Sequence, residues 1–171
     1  AGAGAAPLCP VAAIAGAIAA QEVTKAVTRR LMPLNQWLYL DGSAALPPAS
    51  EREAGTPKAG GRHVAQAAAL GAAVQSKLES MRVLIVGLGG IGCEVLKNFA
   101  VMGVATADEG GVTIMDAAPV QRSNLSRSVL WREGDAGRNK ADAAAEAALR
   151  LNEGLQITSL PRALGEETVA L

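Results

Sequence analysis

Residues 81–103 read MRVLIVGLGGIGCEVLKNFAVMG: an apolar run, a glycine-rich turn and a helical pattern in unbroken succession. Val83 to Val86 are apolar and read as a hydrophobic strand. The turn GLGGIG places Gly87, Gly89 and Gly92 in a G-x-G-x-x-G spacing, with Gly90 between them. Glycines there let main-chain amides approach phosphate oxygens, while the N-terminus of the following helix contributes partial positive charge. The strand–loop–helix order is the context in which such a motif points to a nucleotide rather than to a tight turn that only packs helix on strand.

Downstream, a glycine turn at Gly110–Gly111 leads into the strand VTIMD, which ends on Asp116. An acid about two dozen residues past the loop is placed to accept hydrogen bonds from ribose hydroxyls. A polar loop covers 123–132, a helix is expected over about 139–151, and LQITSL (155–160) reads as a third strand. Strand, helix, strand, helix, strand implies an α/β fold: a Rossmann-like parallel sheet with crossover helices, which the chain leaves incomplete at Leu171.

Upstream, a helix is expected from Arg62 to Glu79. The segment 43–61 carries Pro47, Pro48, Gly55, Pro57, Gly60 and Gly61 and reads as a linker. Before it, Pro10 to Leu31 reads as a helix with Val11, Ile14, Ile18, Val23 and Val27 roughly on one side, Arg29 and Arg30 in its last turn and Pro33 stopping it. NQWLYLD (35–41) reads as a strand with Trp37 and Tyr39 on one face. Ala1–Pro7 reads as a frayed, low-complexity start.

Sixteen basic residues balance sixteen acidic ones, so no general attraction to nucleic acid or to a membrane surface is expected. The Ala-rich start is interrupted by Gln21, Glu22 and Lys25 too soon for a spanning helix. Cys9 and Cys93 lack a CxxC partner and His63 is the one histidine, so no metal site is assigned. A reducing, intracellular setting fits this cysteine usage.

The glycine loop and Asp116 alone describe a nicotinamide-dependent dehydrogenase equally well. Asn124, Arg127 and Lys140 separate the two cases, because they can converge from the strand ends on a triphosphate. A pyrophosphate has less need of two further cations.

VGLGGIGCEVLKNFAVMG, SNLSR (123–127) and NKADAAA (139–145) together resemble the active adenylation domain of ubiquitin-activating enzymes, which have a ThiF-type fold. GRHVAQAAALGAAVQSKL (61–78) resembles that domain's lead-in helix. PVAAIAGAIAAQEVTKAVTRRLMPLNQWLYLDG (10–42) resembles the end of the inactive adenylation domain that precedes it in the single-chain enzymes. The resemblance implies three parts: 1–42 as the end of the inactive domain, 43–61 as a linker and 62–171 as the first half of the active domain.

By the same resemblance, Gly87, Gly89, Gly90 and Gly92 line the nucleotide and Asp116 binds the ribose. Asn124, Arg127 and Lys140 hold phosphates, with Arg127 and Lys140 as the catalytic pair. Cys93 is a structural filler. ATP is the implied cofactor, and Mg2+ is implied with its ligand expected beyond Leu171. The implied activity is C-terminal adenylation of ubiquitin or a ubiquitin-like protein, a ligase of the cytoplasm and nucleus. The thioester cysteine, and the domains that meet ubiquitin-conjugating enzymes, are expected after this segment, so the segment alone is expected to be inactive. Two positions depart from the family: Ala118 stands where a second acid is usual and Ser128 where Gln is usual, and both bear on metal and nucleotide affinity. They keep open a second class of function, a scaffold that binds partners without catalysis; a nicotinamide enzyme would bind NADH instead.

Overall fold

A computed structural model describes residues 8–40, 42–52 and 61–165. Ala1–Pro7, Asp41, residues 53–60 of the Gly/Pro linker and the last six residues lie outside the described residues, and with them the readings of a frayed start and of the linker's core. The chain divides into two compact units, Ala1–Gln75 and Ser76–Leu171.

In the first unit, α1 (Cys9–Thr28) begins with Pro10 in its first turn, as expected. It stops three residues early. Arg29 is the C-cap, in left-handed conformation at φ 54°, so Lys25 alone is the basic residue of the last turn. No residue of α1 is buried, and Ile14, Val23 and Val27 are exposed. Past the cap, the amide of Leu34 donates to the Glu22 carboxylate at 2.7 Å, and Lys25 pairs with the same carboxylate at 2.6 Å. NQWLYLD is not a strand: the described residues 35–40 are irregular, and Trp37 and Tyr39 are exposed. Alternation prepares a strand, but a strand exists only where neighbouring backbone completes its ladder, and no described strand pairs with this segment. A short α2 (Ala49–Arg52) follows within the expected linker.

The single helix expected over 62–79 is two, α3 (Val64–Leu70) and α4 (Ala72–Glu79). They part at Gly71, whose φ of 90° and ψ of 147° no helix passes through.

The second unit carries the α/β arrangement that the sequence implied. Strands β1 (Arg82–Val86), β2 (Gly111–Met115) and β3 (Ile157–Leu160) form one parallel sheet in the order β1-β2-β3. Val83 aligns with Val112 and Val112 with Ile157; Ile85 aligns with Ile114 and Ile114 with Ser159. These positions face one side, because side chains alternate along a strand. The crossover helices α5 (Gly90–Met102) and α6 (Lys140–Leu151) supply the rest of that core through Cys93, Leu96 and Ala100 and through Ala141, Ala144 and Ala148. Alanines on α6 let its backbone sit close to the sheet. Ser159, the polar member of this face, donates to Asp142 in the first turn of α6 at 2.7 Å. Buried Asn152 joins the two helix ends, donating to the Ala100 carbonyl at 2.8 Å and accepting from the Gly154 amide at 3.2 Å.

The other face of the sheet, with Leu84, Thr113, Met115, Thr158 and Leu160, lines a groove of about 880 Å³. Among the described residues no helix is long and apolar enough to cross a membrane.

Candidate functional site

In a parallel sheet the loops that follow the strands gather at their carboxyl ends, and there the glycine loop, Asp116 and Lys140 are joined. The turn after β1 is anchored to β2 by the Gly87 amide, which donates to the Met115 carbonyl at 2.8 Å. Gly87 has φ 89°, a conformation that favours glycine. Gly92 is required for a different reason: a Cβ there would lie 2.1 Å from the Gly87 carbonyl oxygen, so helix and turn touch through backbone. At Gly89 and Gly90 an added Cβ would meet nothing. Gly89 is the N-cap of α5 and supplies no side-chain cap, which leaves first-turn amides for an incoming anion.

Asp116, one residue past β2, faces this turn. One carboxylate oxygen accepts from the Leu88 amide at 2.7 Å and the other from the Ala118 amide at 2.8 Å. The acid is thereby oriented against the loop, and a carboxylate with one bond on each oxygen still has lone pairs to accept from hydroxyls.

Lys140 is the first residue of α6, and its amide donates to the Ala118 carbonyl at 3.0 Å. Asn139 caps the helix by accepting from the Ala141 amide at 2.7 Å, and its side-chain nitrogen reaches the Asp116 carbonyl at 3.1 Å. Pro119 and Asn139 form an antiparallel bridge. The glycine loop, Asp116, Ala118 and Lys140 are therefore linked by successive hydrogen bonds. The Lys140 ammonium lies 5.9 Å from the centroid of the Trp131 ring.

Asn124 and Arg127 sit on the connection between β2 and α6. Asn124 is buried and its oxygen accepts from the Gln121 amide at 3.0 Å, closing a 3-10 turn over Arg122–Asn124. That oxygen serves its own turn and leaves the carboxamide nitrogen to donate. Arg127 is exposed and donates to the Ser123 carbonyl at 3.2 Å. The structure thus ties Asp116 and Lys140 to the loop and places Asn124 and Arg127 on the connecting turn, with no hydrogen bond from either to the glycines. A groove of about 570 Å³ beside the loop is lined by glycines and apolar residues from Val83 to Phe99, and the four polar candidates lie outside its lining.

Sequence reasoning passed over Asn139 and Trp131. Asn directly before an Ala-rich helical pattern is a capping signal that points to the first. No local pattern points to the second.

Burial pushes the Cys93 thiol up in pKa, against smaller downward pulls from a Ser128 hydrogen bond and the Lys140 charge. Cys93 is fully buried, 3.6 Å from the Leu88 carbonyl oxygen. Folding therefore keeps its proton, and any stabilisation from that is present at neutral pH and lost as pH rises through the raised folded pKa. Iodoacetamide is expected to leave Cys93 unmodified in the native protein at neutral pH and to alkylate it after denaturation, as read by peptide mass.

The family model for the ThiF family matches residues 61–170. Ubiquitin-like modifier-activating enzyme 7 of Homo sapiens is 45% identical over 164 residues, covering 94% of this chain. Ubiquitin-like modifier-activating enzyme 1 of Mus musculus is 39% identical over 164 residues, again 94% of this chain. The chain spans 16% and 15% of those two proteins. Among solved structures, E. coli MccB with AMPCPP and MccA matches with a TM-score of 0.57 and 26% identity, over 67% of this chain and 34% of that one.

Proposed function

Because the chain belongs to the ThiF family, we propose that it carries the nucleotide-binding half of an active adenylation domain, in a protein that uses ATP to activate the C-terminus of ubiquitin or a ubiquitin-like protein. Residues 1–42 then belong to a preceding inactive adenylation domain, 43–61 join the two, and 62–171 begin the active one. The observation that carries the reading is the chain of contacts from the uncapped glycine loop through Asp116 and Ala118 to Lys140. Its support from relatives is the name shared by the two modifier-activating enzymes and the nucleotide analogue in the MccB structure.

The residues fit a nucleotide. Gly89 and Gly90 leave room where side chains would block it, and the first amides of α5 have no side-chain cap. Those amides and Lys140 would hold phosphates, with Arg127 and the Asn124 carboxamide nitrogen added from the connecting turn; Asp116 would accept from the ribose hydroxyls. Mg2+ would accompany the nucleotide. Among the described residues no group of three or more His, Cys, Asp or Glu side chains is gathered that could hold a metal.

The chemistry follows from charge. The C-terminal carboxylate of a ubiquitin-like protein is ionised at neutral pH and needs no general base. Its oxygen bonds to the α-phosphorus, the bond to the bridging oxygen of the β-phosphate breaks, and pyrophosphate leaves. The obstacle is one anion approaching another. Lys140, Arg127 and the loop amides offset the repulsion and stabilise the charge that spreads over the phosphoryl oxygens. Capture of the acyl-adenylate by a cysteine, and transfer to a conjugating enzyme, would require residues other than these. The expected setting is cytoplasmic and nuclear.

ATP–pyrophosphate exchange by the full-length protein tests this. Exchange is expected only with a ubiquitin-like protein whose C-terminus is intact. Arg127→Ala, at an exposed position, is expected to lower it about a hundredfold while leaving the fold unchanged. Exchange that is absent in the native protein would favour a scaffold, and exchange unaltered by Arg127→Ala would remove that residue from the phosphate set.

A further inference from the structure

Lys140 stands in a place that helix stability does not explain. A cation in the first turn opposes the helix dipole. No ion pair involving Lys140 occurs among the described residues; its ammonium faces the ring of Trp131 at 5.9 Å. Trp131 is itself costly. It is 3% exposed, and its indole nitrogen is buried with no hydrogen-bond partner among the described residues. An unpaired buried donor is a penalty that phenylalanine at the same place would avoid. What tryptophan offers over phenylalanine is the stronger negative face toward a cation.

The platform is fixed. Trp131 belongs to the main core together with Leu130 and the alanines of α6. The Arg132 side chain bonds back to the carbonyls of Val129 and Trp131 at 2.8 and 3.1 Å, and the Arg132 amide is held by the Asp135 carboxylate at 2.8 Å. Asp135 is in turn paired with Arg138 at 2.9 Å. The lysine's backbone is anchored to Ala118, and its ammonium lies over the face of a buried ring at 5.9 Å.

We infer that Trp131 is a positioning residue for Lys140: its ring holds the ammonium over the phosphate site before the nucleotide arrives. The inference rests on the nucleotide reading above and adds to it the residue that orients the phosphate-binding lysine. Trp131 acts through Lys140, and its contribution vanishes when the lysine is absent.

The test is a double-mutant cycle on ATP·Mg affinity, measured by calorimetry on the full-length protein, so that a dead variant still gives a reading. Trp131→Leu is expected to weaken binding about tenfold and Trp131→Phe about twofold. In a Lys140→Ala background, Trp131→Leu is expected to change nothing further. A Trp131→Leu effect of equal size with and without Lys140 would make Trp131 a packing residue only and overturn the inference, while leaving the nucleotide site standing. Unchanged affinity in Lys140→Ala alone would overturn the nucleotide reading, and the inference with it. Should Trp131→Leu fail to fold, mono-, di- and trifluorotryptophan placed at position 131 keep the shape and drain the ring's negative face stepwise. Affinity falling in step supports the inference, and a flat series contradicts it.

Discussion

Lys140→Ala is expected to lower ATP–pyrophosphate exchange by about two to three orders of magnitude, the loss typical of removing one fixed donor from a transition state. The substitution touches little else. Lys140 is half-buried, makes no ion pair among the described residues, and opens α6, which Asn139 and not Lys140 caps. Its main-chain bond to Ala118 survives in alanine. Removing the charge also relieves its conflict with the helix dipole, so the melting temperature is expected to stay level or rise slightly. Activity and stability therefore move independently, which a lysine retained for structure would not show. Steady-state exchange and a thermal melt of the same variant check both halves.

Gly92→Ala is expected to do the reverse and damage the fold first. Its new methyl would lie 2.1 Å from the Gly87 carbonyl oxygen and 3.1 Å from the carbonyl carbon, and backbone at that distance has to move. Any movement pulls the Gly87 amide from Met115 and the Leu88 amide from Asp116. Overpacking of this kind costs about 3 kcal/mol. Gly89→Ala is the control: its methyl meets no neighbour and its φ of −79° suits alanine. Denaturant unfolding should separate the two, with stability lost in Gly92→Ala and kept within about 0.5 kcal/mol in Gly89→Ala. Nucleotide affinity is expected to fall in both, in Gly89→Ala because its methyl enters the space an anion would use.

These pairs show what local sequence signals carry. The strand at 82–86, the glycine turn, and the helix closed by Gly103 as a left-handed cap are each written in neighbouring residues, so the second unit was legible. So was the placement of Asp116 at a strand end and of Lys140 at a helix start. The errors lie where the outcome depends on partners far along the chain. Trp37 and Tyr39 alternate with Leu38 and Leu40 as a strand should, yet nothing described pairs with them. Gly71 stands between two good helical patterns, and only its backbone angles show that the helix breaks there. The bond of Asp116 to Leu88 spans 28 residues, and the Trp131 ring against Lys140 joins two segments whose meeting no spacing rule foretells.

The structure of the full-length protein bound to a non-hydrolysable ATP analogue is the most direct test. The account predicts phosphate oxygens within hydrogen-bond distance of the Gly89 and Gly90 amides and of the Lys140 ammonium, with the ribose against Asp116. A nucleotide seated elsewhere, or phosphates that leave Lys140 facing only Trp131, would contradict it.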